Sequence, residues 1–253
     1  MTDRGAGSGA RDSTVVWVSG ASSGIGAQFA NLARNRADRV IGISRRPSAG
    51  EHIPADLSDP AAWREVEASF RRVLADRRVG RAIFFHCAGT IVADGPTARA
   101  DTVAYGQGIM LNSASGQALG QAFLTAVEEA GVKATLLLCS SPSATIVTPG
   151  LSHYCAGKAA LEMWVRTVAA EVGEKPGAPR VFAVVPWAVD TPMVHDVMAE
   201  SGDDLPLSDD LRRAAGAGEL AGPADVAREI WQAIDNGVEQ GANVHVGMVP
   251  EEP

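Results

Sequence analysis

The 253-residue sequence predicts an α/β fold: a doubly wound parallel sheet in a three-layer αβα sandwich, built as a single domain. Short apolar runs without polar alternation recur along the chain, as strands covered on both faces require. Longer stretches with helical periodicity separate them, and strand–helix–strand repetition implies right-handed crossovers with ligands at the carboxyl ends of the strands. Hydrophobic residues make up 46% of the chain and charged ones 21%, enough apolar material for a full core.

The elements follow in order. Residues 1–13, MTDRGAGSGARDS, are polar and Gly-rich, lack the apolar stretch of a secretory signal, and read as a flexible tail before a domain at 14–253. Strands are expected at 14–19 (TVVWVS), 39–44 (RVIGIS), 81–86 (RAIFFH), 134–140 (ATLLLCS), 180–186 (RVFAVVP) and 243–247 (NVHVG). Helices are expected near 24–36, 60–76, 101–128, 152–174 and 223–237, the last opened by Pro223 at a favoured first-turn position. The stretch 190–222 breaks this rhythm. It is polar, acidic at Asp203, Asp204, Asp209 and Asp210, and Gly-rich at its end, as an inserted loop or lid would be.

Composition narrows the function. A net charge of −8 argues against a general grip on nucleic acid or an anionic membrane, and no run reaches the roughly 18 apolar residues of a membrane span. Cys87, Cys139 and Cys155 have no C-x-x-C spacing and lie in or beside apolar runs. They read as reduced thiols of a cytoplasmic protein, and no metal site is expected.

Directly after the first strand comes SGASSGIG, with Gly20, Gly24 and Gly26, and then a helix. Glycines there allow a tight turn and close backbone approach, while the N–H groups and positive dipole end of the helix favour a pyrophosphate. Ser22, Ser23 and Ile25 complete that turn. Further on, SHYCAGKAAL places Tyr154 and Lys158 at i and i+4, one turn apart on one helix face. A phenol with an ordinary pKa of about 10 is a poor base, and a nearby ammonium favours its phenolate.

With these motifs the sequence resembles the short-chain dehydrogenase/reductase family, of the compact Rossmann-type, single-domain kind, from about Val15 to Val246. The family's turn reads T-G-x3-G-x-G, and Ser19 stands here for the threonine. FFHCAG at 84–89 occupies the place of N-N-A-G, keeping Ala88 and Gly89 but carrying His86, expected to be a hydrogen-bonded structural residue, and Cys87. The resemblance implies four catalytic residues. Ser141, thirteen residues before the tyrosine, orients the substrate oxygen, with Ser140 as the competing candidate. Tyr154 gives or takes the proton, Lys158 tunes it and holds the nicotinamide ribose, and Asn112 positions a water in a relay. Gly157 stands where serine or alanine is usual, so something should pack closely there.

Cofactor contacts are implied likewise. Ser44, Arg45 and Arg46 end the second strand where a ribose 2′-phosphate would arrive, and no acidic residue stands there, so NADP(H) is expected over NAD(H), with Arg45 the leading contact. Asp56 matches the adenine-contacting aspartate, followed by Leu57; the other reading of Asp56 is a helix cap before Pro60. In VVPWAVDTPM, Pro186, Val189 and Thr191 match the family's nicotinamide-contacting segment, but Trp187 replaces a glycine. Trp187 either fills a wall of the substrate pocket or packs under the lid. Ser143 and Met193, with Ile91, Val92, His153 and Met198, are further candidates to face the pocket.

The implied activity is reduction of a ketone or diketone by hydride transfer from NADPH, or the reverse, with a likeness to the benzil reductase and sepiapterin reductase branches. An NAD-linked alcohol dehydrogenase of the same fold is an alternative, as is a non-catalytic dinucleotide sensor, although sensors of this fold typically lose the tyrosine or lysine. The partner is a small carbonyl or alcohol substrate, and the helices near 101–128 and 152–174 pair subunits in the family, implying a homodimer or homotetramer.

Overall fold

β1 (Ser13–Ser19), β2 (Arg39–Ser44), β3 (Glu51–Pro54), β4 (Val79–His86), β5 (Lys133–Cys139), β6 (Arg180–Pro186) and β7 (Asn243–Val246) form one parallel sheet in the order β3-β2-β1-β4-β5-β6-β7. The structure, a computed structural model, describes residues 13–91 and 95–248. Strand order reverses between β1 and β4, in register from Thr14↔Arg81 to Ser19↔His86, and a crevice opens there at the carboxyl ends. The expected tail at 1–12 lies outside the described residues. Ser13, read as tail, already belongs to β1, its hydroxyl donating to the Arg78 carbonyl.

Alternate side chains of each strand feed two cores. On one face Trp17, Phe70 and Phe123 meet edge to face and Phe84 tilts against the two phenylalanines, with ring centres 5.1–6.1 Å apart, under α2 (Trp63–Leu74), α4 (Ser115–Ala130) and α5 (Ser152–Val172). The Trp17 indole N–H donates to Ser69 Oγ at 3.1 Å, so this large ring is buried without an orphaned donor. On the other face Phe29 of α1 (Gly24–Ala33) stacks on Trp231 of α8 (Pro223–Asn236) at 4.6 Å. Fully burying each such ring stabilises by about 1.5–3 kcal/mol.

Three segments differ from the sequence expectation. β3 is a four-residue edge strand, too short and polar to show as an apolar run; it pairs only with β2, Ile43↔Ile53 at its centre. The single helix expected at 101–128 is α3 (Thr102–Ile109), a π-turn at Met110–Ala114 and α4. The 190–222 segment is largely helical: α6 (Pro192–Ala199), capped by Thr191 with Pro192 in its first turn, and α7 (Leu207–Ala217), closed by Gly218 in the left-handed conformation. The acidic run that read as loop puts Asp209 and Asp210 in the first turn of α7, where the helix dipole favours them, and pairs them with Arg212 and Arg213. A third cluster, Leu151, Tyr154, Val197, Leu205 and Leu211, packs these helices over α5.

Candidate active site

A cleft of about 980 Å³ runs along the carboxyl ends of the strands, from the turn after β1 to α7. At one end the chain leaves β1 through Gly20, at φ 67°, and enters α1. A Cβ at Gly26 would sit 2.5 Å from the Gly20 carbonyl oxygen, and one at Gly20 would sit 3.0 Å from the Ala88 nitrogen. Only glycine fits either place, and the bare backbone they leave is the cradle a pyrophosphate needs. Ser23, at the N-cap of α1, makes no side-chain cap bond, which leaves the helix's first N–H groups facing the cleft beside Ser22, Gly24 and Ile25.

Ser44, Arg45, Arg46, Asp56 and Leu57 line the next part of the wall. The two arginines divide differently from the sequence expectation: Arg45 stands 4.0 Å from Asp56, while Arg46 reaches over the turn to Ser23 Oγ at 3.4 Å. Asp56 accepts from the Ser58 backbone N–H at 3.0 Å and the Ser58 hydroxyl at 2.7 Å. Partial burial pushes its carboxyl up, but the Ser58 hydrogen bonds and the Arg45 charge outweigh this and hold it below its ordinary value. The cap before Pro60 is Asp59, accepting from the Ala61 N–H at 2.9 Å, so that alternative reading of Asp56 falls away.

Ser19 and His86 tie the floor together. Ser19 Oγ accepts from the N–H groups of Cys87 and Ala88, both at 3.0 Å, and lies 3.1 Å from His86 Nδ1. Ser19 therefore donates its own proton to Nδ1, and Nε2–H donates to Ser115 Oγ at 3.2 Å, whose proton goes to the Leu111 carbonyl at 2.8 Å. Burial first, then the Lys158 charge, lowers the His86 pKa to about 3. His86 is a neutral structural link from β1 through β4 to the π-turn, as its place in the motif implies.

At the centre, α5 presents Tyr154 and Lys158 on one face, with the Lys158 ammonium 5.5 Å from the Tyr154 ring centre. Lys158 Nζ donates to the Cys139 carbonyl at 2.6 Å, which fixes α5 to the end of β5. The Ser141 hydroxyl lies where it favours the Tyr154 phenolate, whereas the Ser140 hydroxyl is buried and donates to Glu162 Oε1 at 2.6 Å. Both serines border the cleft, and the Ser140 hydroxyl is the one committed to Glu162. One expectation is reversed: burial raises the Tyr154 pKa, and the opposing Lys158 charge and Ser141 hydroxyl do not overcome it.

Asn112 sits in the π-turn and is fully buried. Its amide donates to the Thr90 carbonyl at 2.8 Å and accepts from the Thr90 N–H at 2.9 Å. That side chain is spent on the β4–α3 connection and does not line the cleft, so any relay at this position runs through the backbone that the π-turn frees from the i→i−4 ladder. A Cβ at Gly157 would meet Asn112 Cβ at 3.1 Å, and one at Gly89 would meet Asn112 Oδ1 at 3.2 Å and Lys158 Nζ at 3.6 Å. The close packing expected at Gly157 is with Asn112.

Pro186, Val189 and Thr191 form the far wall, with Ser143, Trp187 and Met193 toward the mouth. Trp187 is half exposed, and its indole N–H donates to His245 Nδ1 at 3.2 Å; it borders the cleft and takes no part in the cluster under α6 and α7. Ile91 also lines the cleft, Met198 does not, and His153 points away, buried against the Tyr105 ring and Gly108 of α3. Val92 lies outside the described residues. Sequence reasoning missed Ile146, Leu207 and Leu211, which add apolar wall; the four-residue spacing of the two leucines, close to one helical turn, was the available signal. Among the described residues no cluster of three or more His, Cys, Asp or Glu is placed to hold a metal, and no helix is long and apolar enough to cross a membrane.

Switch-point sheet, glycine cradle and the Ser141–Tyr154–Lys158 wall define an oxidoreductase fold that binds a nicotinamide dinucleotide. The family model described as enoyl-(acyl carrier protein) reductase matches residues 20–233, and the chain belongs to the short-chain dehydrogenase/reductase family, oxidoreductases of carbonyl and alcohol substrates. It is 24% identical over 235 residues to benzil reductase ((S)-benzoin forming) of Bacillus cereus, covering 87% of this chain and 93% of that one. An uncharacterised NAD-dependent oxidoreductase of Mycobacterium tuberculosis is 30% identical over 226 residues, 77% of each chain. The fold matches a short-chain dehydrogenase of Sphingobium yanoikuyae in complex with NADPH, with TM-score 0.72 and 22% identity over 92% of this chain and 86% of that one.

Proposed function

We propose that this protein is an NADPH-dependent carbonyl reductase that converts an apolar ketone or diketone to a secondary alcohol, or runs the reverse reaction. The observation that carries this reading is the meeting of Ser141, Tyr154 and Lys158 in the cleft that begins at the glycine cradle. When bound, the nicotinamide dinucleotide supplies the hydride. The cradle at Gly20 and Gly26 would hold its pyrophosphate, Arg46 with Arg45 its 2′-phosphate, and Ala88, Gly89, Pro186, Val189 and Thr191 would border its nicotinamide half. The Mycobacterium relative's printed NAD dependence makes the cofactor preference the first thing to measure.

Ser141 donates to the substrate oxygen and orients it. Tyr154, a phenol that burial makes still harder to ionise, gives its proton to that oxygen as it becomes a hydroxyl. Lys158, held at the Cys139 carbonyl, supplies the opposing charge that eases this loss, and Asn112 keeps the β4–α3 connection against it. Ile91, Ile146, Trp187, Leu207 and Leu211 form an apolar mouth suited to an aryl or branched carbonyl compound, consistent with the Bacillus relative's printed substrate.

In this reading residues 14–253 act as one catalytic domain and the 190–222 segment as its lid. Exposed Val103, Ile109 and Met163 on α3 and α5 support a homodimer or homotetramer through those helices, which sedimentation at micromolar concentration tests. Three unpaired thiols support a reducing, cytoplasmic setting. The deciding assay follows NADPH and NADH oxidation with ketones, diketones including benzil, quinones and pterins, with Tyr154→Phe as blank. NADPH-linked turnover of a dicarbonyl, absent in the blank, is expected; turnover that survives in the blank overturns the mechanism, and cofactor binding without any turnover favours a sensor.

A further inference from the structure

β4 and β5 run parallel in the register Phe85↔Leu137 and His86↔Leu138, so the next positions, Cys87 and Cys139, stand side by side at the carboxyl ends of the two strands. Alternation points both sulfurs to the same face: Phe85, Leu137 and Cys139 belong to the core beneath α1 and α8, and Cys87 packs against it. Each thiol perturbs the other's titration, both are reduced, and both line the cleft. Equivalent positions on neighbouring strands are about 4.8 Å apart, within the roughly 4.4–6.8 Å between Cα atoms that a disulfide spans.

We propose that Cys87 and Cys139 form a dithiol site in the floor of the cleft, which takes one trivalent arsenic atom or is closed to a disulfide by a peroxide, and that filling it blocks dinucleotide binding. Coupling to the cradle is direct. A Cβ at Gly20 would meet the Cys87 carbonyl carbon at 3.1 Å, and the Gly26 backbone N–H lies beside the Cys87 thiol, opposing the rise in its pKa. Movement of Cys87 therefore presses on the turn that must stay open for a pyrophosphate.

The pair is also chemically unequal. The neighbouring Cys87 thiol, opposed by burial and helped by the Lys158 charge, brings the Cys139 thiol down to about 7, while Cys139 and burial raise Cys87. The Lys158 ammonium, bonded to the Cys139 carbonyl, favours a thiolate at that end of the pair, so Cys139 is assigned as the attacking sulfur. Its sulfur attacks one peroxide oxygen, the O–O bond breaks, and hydroxide leaves. Cys87 then attacks the sulfenic sulfur, the S–O bond breaks, and the disulfide forms. Two thiol hydrogens and two electrons pass to the peroxide, which ends as two waters.

The test uses the full chain and phenylarsine oxide alone. NADPH and NADH affinities of the untreated protein are measured first, so that failure of the cofactor reading is seen separately. Expected are one phenylarsenic adduct per chain mapped to the Cys87 and Cys139 peptides, and dinucleotide affinity weakened at least ~10-fold, about 1.4 kcal/mol. A 1,2-dithiol should restore it where an equimolar monothiol does not, and Cys155→Ser should respond as the natural protein does. With hydrogen peroxide, a peptide pair linking Cys87 to Cys139 and lacking two hydrogens is expected. An adduct on Cys155, separate monoadducts, or an intact bridge with unchanged dinucleotide affinity overturns the proposal. Mapping is done on the natural sequence, so the test does not depend on whether a Cys139→Ser protein folds.

Discussion

The Lys158 ammonium donates to the Cys139 carbonyl at 2.6 Å while standing 5.5 Å from the centre of the Tyr154 ring. One cation thereby fastens α5 to β5 and opposes the burial that raises the Tyr154 pKa. Tyr154→Phe is expected to lower kcat by about 10³-fold and to leave the dinucleotide Kd within about threefold, because the lost group moves a proton and leaves the cradle intact. Steady-state rates and a fluorescence titration check both halves; a kcat close to that of the natural protein removes Tyr154 from its role.

Lys158→Met takes away the charge that lowers Tyr154, so the rise of alcohol-oxidation rate with pH should move to more alkaline pH. A profile of kcat in the oxidative direction from neutral to about pH 11 reads this. A profile that keeps its midpoint would mean that Lys158 acts on the fold alone.

Arg46 spans the glycine turn and Arg45 leans toward Asp56. Arg46→Ala should weaken NADPH about 10- to 100-fold, the worth of one charge-assisted hydrogen bond, with NADH changed less than about threefold. Arg45→Ala should do less, since its charge is already shared with a carboxylate. Titrations of both dinucleotides decide it, and equal losses for the two would show that Arg46 does not meet a 2′-phosphate.

His86 contributes a pH-dependent part of stability. It stays neutral in the folded chain down to about pH 3 but takes a proton near 6.5, its ordinary value, when unfolded. Across that interval the unfolded state binds the extra proton, so stability is present above pH 6.5 and falls as pH drops, by up to about 1.4 kcal/mol per pH unit. His86→Asn keeps a donor and an acceptor for Ser115 and Ser19 and lacks this slope. Urea midpoints of the two proteins should converge on acidification; parallel acid losses would rule the imidazole out.

Gly26→Ala places a methyl group 2.5 Å from the Gly20 carbonyl oxygen, where backbone must yield. A loss of about 1–3 kcal/mol in stability is expected together with loss of dinucleotide binding. Thermal melts with and without NADPH check it: the natural chain should gain in Tm on adding the cofactor, and the variant should not.

Most of the sheet could be read from the sequence because strands covered on both faces are apolar throughout, and the cradle and the Tyr154–Lys158 pair because each lies within one short segment. β3 escaped notice since an edge strand of four residues, EHIP, has one fully buried side chain to announce it. The π-turn at Asn112 depends on how closely α5 approaches at Gly157, which spacing along the chain does not contain. The ammonium beside Tyr154 was visible, but the burial that outweighs it belongs to α6 and α7, folded from an acidic stretch that looked like loop. Spacing from Tyr154 favoured Ser141, but what occupies the Ser140 hydroxyl is Glu162, twenty-two positions away from it.

Glu162 has a further consequence for the order in which the molecule is completed. Its buried carboxylate takes one bond from the Ser140 hydroxyl and one, at 2.7 Å, from the side-chain amide of Asn243 on β7. During synthesis the β5–α5 pair leaves the ribosome some eighty residues before that amide does. Until β7 docks, one oxygen of the carboxylate has only solvent to answer it, and the serine beside Ser140 is held from one side. The nascent chain thus completes the hydrogen bonds behind its chemistry-bearing centre only once β7 has been made.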